Sequence, residues 1–265
     1  MRPGEMNLDE LVLRQGDRVE TYGRLVSTGD GCWFEPPLPQ TLMLGVSRVV
    51  SPPWHGAVPL VGASVDDVQD RAEHGSLVEG YATVVGRWSG DGIEVENQSA
   101  SSPVPDPDPP RWFHPPCPPP EGGWPHGMPD GDPRVDASRV TESGAAVAVS
   151  VFRPSRTQAV VVVAASDVDV VERQLRPDLG ASLCVVVSRF SRPRIDRIRQ
   201  VLDRHWHDWG LYEVGESVDR HGQACVTARL ARLVPEIVQH ATQWPPGLVV
   251  LRPWLAPATV PGTGC

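Results

Sequence analysis

Apolar and polar residues alternate along much of the first hundred positions, and a period of two predicts strands. Residues 18–26 set Val19, Thr21, Gly23 and Leu25 on one side and Glu20, Tyr22, Arg24 and Val26 on the other. A Gly29-Asp30-Gly31 turn leads into a short strand at 32–34, and residues 57–61 read as a third. Residues 77–88 form a long fourth strand, with Gly80 and Gly86 as places to bend or bulge, and a turn at 90–92 leads into a fifth at 93–96. Between the third and fourth strands a helix is expected over 64–75. Ser64 can cap it, Asp66 and Asp67 suit its first turn, and Gly75 ends it.

The order β-β-β-α-β-β resembles that of an OB-fold over about residues 14–99, which implies a five-stranded β-barrel. The resemblance rests on topology, so it carries no functional residue with it.

After residue 144 the period changes, and strands alternate with helices. Strands are predicted at 145–152, 158–165, 182–187, 211–216, 223–230 and 248–251, and helices at 167–175, 193–209 and 235–243. In the long helix, Ile195, Ile198, Leu202, Trp206 and Trp209 share a face, and Ser191 is placed to cap it. Residues 182–251 read βαββαβ, the ferredoxin-like order. A second reading is a duplicated ββαβ unit, because Gln158-Ala159 and Gln223-Ala224 open strands 65 positions apart, as do Leu183 and Leu248. The expected fold class is therefore two-domain, β plus α/β. An OB-like barrel occupies 1–100 and an α+β domain of ferredoxin-like or duplicated ββαβ topology occupies 144–257, with a flexible tail at 258–265.

The connector, 101–143, has a different composition. It holds 13 of the chain's 29 prolines, which favour polyproline II or coil over helix and sheet. Trp112, Phe113 and Trp124 are unlike a flexible tether, so the connector is expected to dock on one or both domains.

Composition narrows the chemistry. All 24 basic residues are arginine, which excludes a P-loop lysine and a Schiff-base lysine. Five cysteines (Cys32, Cys117, Cys184, Cys225 and Cys265), odd in number and with no C-x-x-C pair, predict reduced thiols and a cytoplasmic location rather than a disulfide framework. Residues 1–17 are acidic with no apolar stretch, so no signal peptide is expected, and the aliphatic run 159–165 reads as a buried strand, too short for a membrane span.

Charge is unevenly divided. Residues 1–101 carry 7 arginines against 15 acids, 102–143 carry 3 against 7, and the remainder 14 against 11. An acidic barrel is a poor match for a phosphate backbone, so any nucleic acid would fall to the C-terminal domain. There Arg189, Arg192, Arg194, Arg197, Arg199 and Arg204 gather on the long helix, with Arg192–Asp196 and Arg199–Asp203 at pairing distance.

No H-E-x-x-H, G-x-S-x-G or G-x-G-x-x-G motif occurs. His205-Trp206-His207-Asp208 has the wrong spacing for a helical chelate and reads as surface or cap. His114, Cys117 and His126 have ligand chemistry without a ligand spacing. No metal and no cofactor is expected. The leading expectation is a non-catalytic binding, assembly or regulatory protein acting on a protein or small ligand. Arg189, Arg192, Arg194, Arg197, Arg199, Trp112 and Trp124 are its candidate contacts. The alternatives are nucleic-acid binding through the arginine helix, and an enzyme with a dispersed inter-domain site drawing on His114, Cys117, His126 or His205.

Overall fold

The computed structural model describes residues 8–37, 56–101, 114–126 and 144–258. Trp112, Phe113, Cys265 and the tail from 259 lie outside the described residues.

The N-terminal part is a six-stranded sheet, five of whose strands close into a ring. These are β1 (Arg18–Thr28), β2 (Gly31–Glu35), β3 (Val58–Val61), β5 (Leu77–Trp88) and β6 (Ile93–Ala100), joined in the order β1-β2-β3-β6-β5 and closed by β1 against β5. All pairs are antiparallel except β3–β6, where Leu60 faces Ile93. Val19, Leu25, Phe34, Val58, Val84, Trp88 and Ile93 fill the ring, as the period-two pattern requires. The ladder slips between Val85 and Gly86, where a Cβ would lie 2.7 Å from Ile93 Cγ2, so the bulge needs glycine.

The helix expected over 64–75 is absent. Residues 64–67 form a turn stitched by Gln98, whose amide accepts from Ser64 N and donates to the Ser64 and Asp67 carbonyls. The strand β4 (Gln69–His74) follows, paired with β5 through a bulge at which Asp70 takes a φ of +53°. The helix-start signals were real but local: Ser64 Oγ accepts from Asp66 N, which closes a turn as readily as it caps a helix.

The C-terminal part contains two three-stranded mixed sheets and three helices. In the first sheet, β7 (Ala146–Ser155) and β8 (Gln158–Ala165) form a hairpin, and β9 (Leu183–Val187) returns parallel to β8 after helix α2 (Val168–Leu179). Helix α3 (Arg192–Arg204) leads to the second sheet. Here β10 (Leu211–Val218) and β11 (Ala224–Arg232) pair antiparallel, and β12 (Val249–Leu255) returns parallel to β11 after α4 (Pro235–Ala241). The ferredoxin-like order is therefore corrected: β9 and β10 do not share a sheet, because β9 pairs with β8 and β10–β12 form a sheet of their own.

The duplicated ββαβ pattern describes the pairing. Val151 faces Val161 in the first hairpin and Glu216 faces Val226 in the second, both displaced by 65 positions. The parallel partners are Leu183 for Val161 and Val249 for Val226, so the second return strand is displaced by one residue more. The main core lies between the two sheets, α3 and α4, and a smaller one lies between β8, β9 and α2. Even-numbered residues of β8 face the first core and odd-numbered ones the second, which is why 159–165 is aliphatic without interruption.

The two parts exchange anchors. A single helical turn, α1 (Leu8–Leu11), buries Leu11 in the C-terminal core, and Val12 bridges to Leu233. In the opposite direction the end of β12 enters the ring, where Leu255 is fully buried and Trp254 packs on Phe34 with ring centroids 5.1 Å apart. The anchors that cross between the two parts are apolar.

Candidate functional site

Helix α3 carries the arginines singled out above except Arg189, which precedes it, and its fold decides which of them face solvent. Ile195, Ile198 and Leu202 are buried on one face, so residues on the flanks reach β10. Arg192 meets Glu216 through both guanidinium nitrogens, at 2.6 and 2.8 Å, and also binds Asp196. Arg199 donates to the same Glu216 at 2.9 Å, so the Arg199–Asp203 pairing expected from spacing is replaced by one to β10. Burial works against the Arg192 charge, but the bonds to Glu216 and Asp196 outweigh it and raise its pKa. Ser191 makes no side-chain capping bond, and the helix ends at Arg204, leaving Trp206 and Trp209 in the turns that follow.

Arg189 is held differently. Its Nη2 donates to the Pro246 carbonyl at 2.5 Å, its backbone N–H donates to Gln223, and its guanidinium lies 4.6 Å from the Phe190 ring. Arg194 and Arg197 are exposed and have no ion pair among the described residues. Of the five candidate arginines, three are tied into the fold and two are presented.

The connector segment 114–126 lies against the C-terminal part. Cys117 is disulfide-bonded to Cys184 on β9, with Cα atoms 5.8 Å apart. This corrects the expectation of reduced thiols for these two positions. A separation of 67 residues and an odd cysteine count hid the pairing. Cys32 and Cys225 take part in no disulfide among the described residues. Trp124 is only 8% exposed within the main core, and its carbonyl accepts from Gln158 Nε2 at 2.7 Å.

The histidines named above do not converge. His126 contacts Thr157 and Gln158, while His205 stacks on Trp209 at 4.3 Å and approaches His240 at 5.7 Å. His114 is exposed. Among the described residues, no group of three or more His, Cys, Asp or Glu is placed to hold a metal ion, and no helix is long and apolar enough to cross a membrane. An open depression on α2 is lined by Asp169, Glu172, Arg173, Arg176 and Pro177, and its Arg176 and Glu172 are paired with each other.

Sequence reasoning missed two clusters. On the ring, Arg24 joins Glu35 at 2.9 Å and also Glu79, which His74 approaches at 3.4 Å. Burial opposes the charge of Arg24, but the hydrogen bond to Glu79 and the charges of Glu35 and Glu79 prevail and raise its pKa. Four separate strands supply these groups, so no local spacing announces them. The second is at the junction of the two parts, where Arg232 at the end of β11 lies 5.3 Å from the Trp88 ring, and burial lowers its pKa. No protein-family model, curated protein or solved structure matches the chain.

Proposed function

We propose that this chain is a non-catalytic binding or assembly module whose partner is a protein held across both parts at once. The reciprocal burial of Leu11 in the C-terminal core and of Trp254 and Leu255 in the ring carries this reading. Such an interlock fixes the relation of the two surfaces, and a preordered composite surface binds without the cost of ordering it first. The charged groups that the fold gathers are engaged with one another, as in Arg24–Glu35–Glu79 and Arg192–Glu216–Arg199, which suits scaffolding better than proton transfer. The strand order and the parallel β3–β6 pair support an OB-like reading of the ring, a fold used widely as a binding platform. The test is affinity purification of the full chain, followed by reconstitution of each co-eluting protein with pure components and titration calorimetry. A stoichiometric complex is expected; a chain that reconstitutes with none of them overturns the reading.

Arg194 and Arg197 favour a second reading, nucleic-acid binding by the outer face of α3. Gel shifts on single-stranded and duplex substrates at low salt test it, with Arg194→Glu and Arg197→Glu expected to abolish any shift. No shift at low salt ends it.

A further inference from the structure

We infer that the Cys117–Cys184 disulfide is a redox latch, holding one half of the 114–126 segment on β9 while Trp124 holds the other half independently of redox state. The segment has two anchors of different kinds. At its far end, Trp124 is buried in the main core and bonded to Gln158. At its near end stand Pro115, Pro116, Pro118, Pro119 and Pro120, which have no N–H to donate, so this half cannot make the alternating donor–acceptor ladder of an added strand. Its non-covalent hold among the described residues is mainly packing, with Pro115 buried and Pro116 so close on Gly222 that a Cβ there would lie 3.0 Å from the proline Cγ, and Cys117 Sγ lies 3.9 Å from the Val185 carbonyl. The covalent bond is therefore the principal tie of the near half.

The two sulfurs are unequally accessible. Cys184 is 1% exposed, whereas Cys117 is partly exposed at the surface of the core. A thiolate from a dithiol reductant attacks Cys117 Sγ; the S–S bond breaks and Cys184 leaves as a thiolate that takes up a proton. The reductant's second thiol then displaces Cys117 from the mixed disulfide, so the reductant ends as its own disulfide and the protein as two thiols. Apolar burial disfavours the leaving Cys184 thiolate, which slows exchange, and the near half lifts once the bond is broken.

The test uses the full chain, alkylated on lysis and compared before and after dithiothreitol in native buffer. Hydrogen exchange is read by mass spectrometry and Trp124 packing by tryptophan emission. The expected result is two thiols gained, Cys184 alkylated together with Cys117 in native buffer once the near half lifts from it, unchanged exchange in β7 and β8, and recovery on reoxidation. A Cys117→Ser variant without reductant should reproduce the reduced pattern. Cys117 and Cys184 already alkylated on lysis, a Cys184 thiol that stays unreactive in native buffer after reduction, or loss of protection throughout the C-terminal part would each overturn the proposal.

Discussion

The indole Nε1 of Trp254 donates to the carbonyl of Tyr22 over 2.8 Å, tying β12 to β1 across 232 positions of chain. Gly23 lies directly beneath that indole. A Cβ on it would sit 2.7 Å from Trp254 Cζ2 and would also collide with the Glu35 carbonyl. Gly23→Ala should therefore lower the unfolding free energy by about 1–3 kcal/mol, as overpacking does. Trp254→Ala should cost about 3–5 kcal/mol. Urea denaturation reads both, and the double variant should lose less than the sum because the two positions touch.

Oxidation should raise stability by closing a loop of 67 residues. Cys117→Ser is expected to lower the unfolding free energy by about 2–4 kcal/mol under non-reducing conditions. The difference from the parent chain should vanish when both are unfolded in dithiothreitol.

Glu216 accepts from two arginines and is mostly buried, whereas Arg194 and Arg197 face solvent. Glu216→Gln should cost about 1–3 kcal/mol, the range for hydrogen bonds to charged groups. The double variant Arg194→Glu, Arg197→Glu should unfold within about 0.5 kcal/mol of the parent. Thermal melts of the three proteins side by side check the contrast.

The shifted arginines predict unequal substitution effects. For Arg24 and Arg192 the folded value is raised, so their contribution is complete below the ordinary guanidinium pKa and is lost only as pH rises through the folded value, above any working buffer. Stability from these groups should be flat from neutral to mildly alkaline pH. Arg232 is lowered by burial, so folding disfavours its charged form. Arg232→Met loses a cation–π contact of about 0.5–1 kcal/mol but relieves that burial, so the net change should stay under about 1 kcal/mol. Arg24→Met removes the guanidinium that Glu35 and Glu79 share and should cost about 3 kcal/mol or more. Urea midpoints at neutral pH compare the two.

Local patterns made part of this fold legible. The alternation at 18–26, the aliphatic run at 159–165 and the 65-residue echo of Gln158 in Gln223 each reflect a periodicity that burial imposes within one element or one repeat. The hairpin registers Val151–Val161 and Glu216–Val226 keep that echo in space. The helix expected at 64–75 failed because Ser64 and its aspartates signal only a start, while the outcome was decided by Gln98, more than thirty positions away.

The candidate site was less legible than the fold. Spacing along α3 identified Arg192–Asp196 but not Glu216, which arrives from β10. Cys117 and Cys184 carry no spacing signal, and Arg24, Glu35 and Glu79 meet only once the ring closes. Each missing link was a contact between elements far apart in sequence.

The crossing of anchors between the two parts bears on the order of synthesis. Ring strands β1 to β6 leave the ribosome long before Leu255, yet Leu255 belongs to the ring's interior. The nascent ring must wait with that position open, while Leu11 waits for a core made well after it. Folding of either part is thus completed by the same late event, the seating of β12.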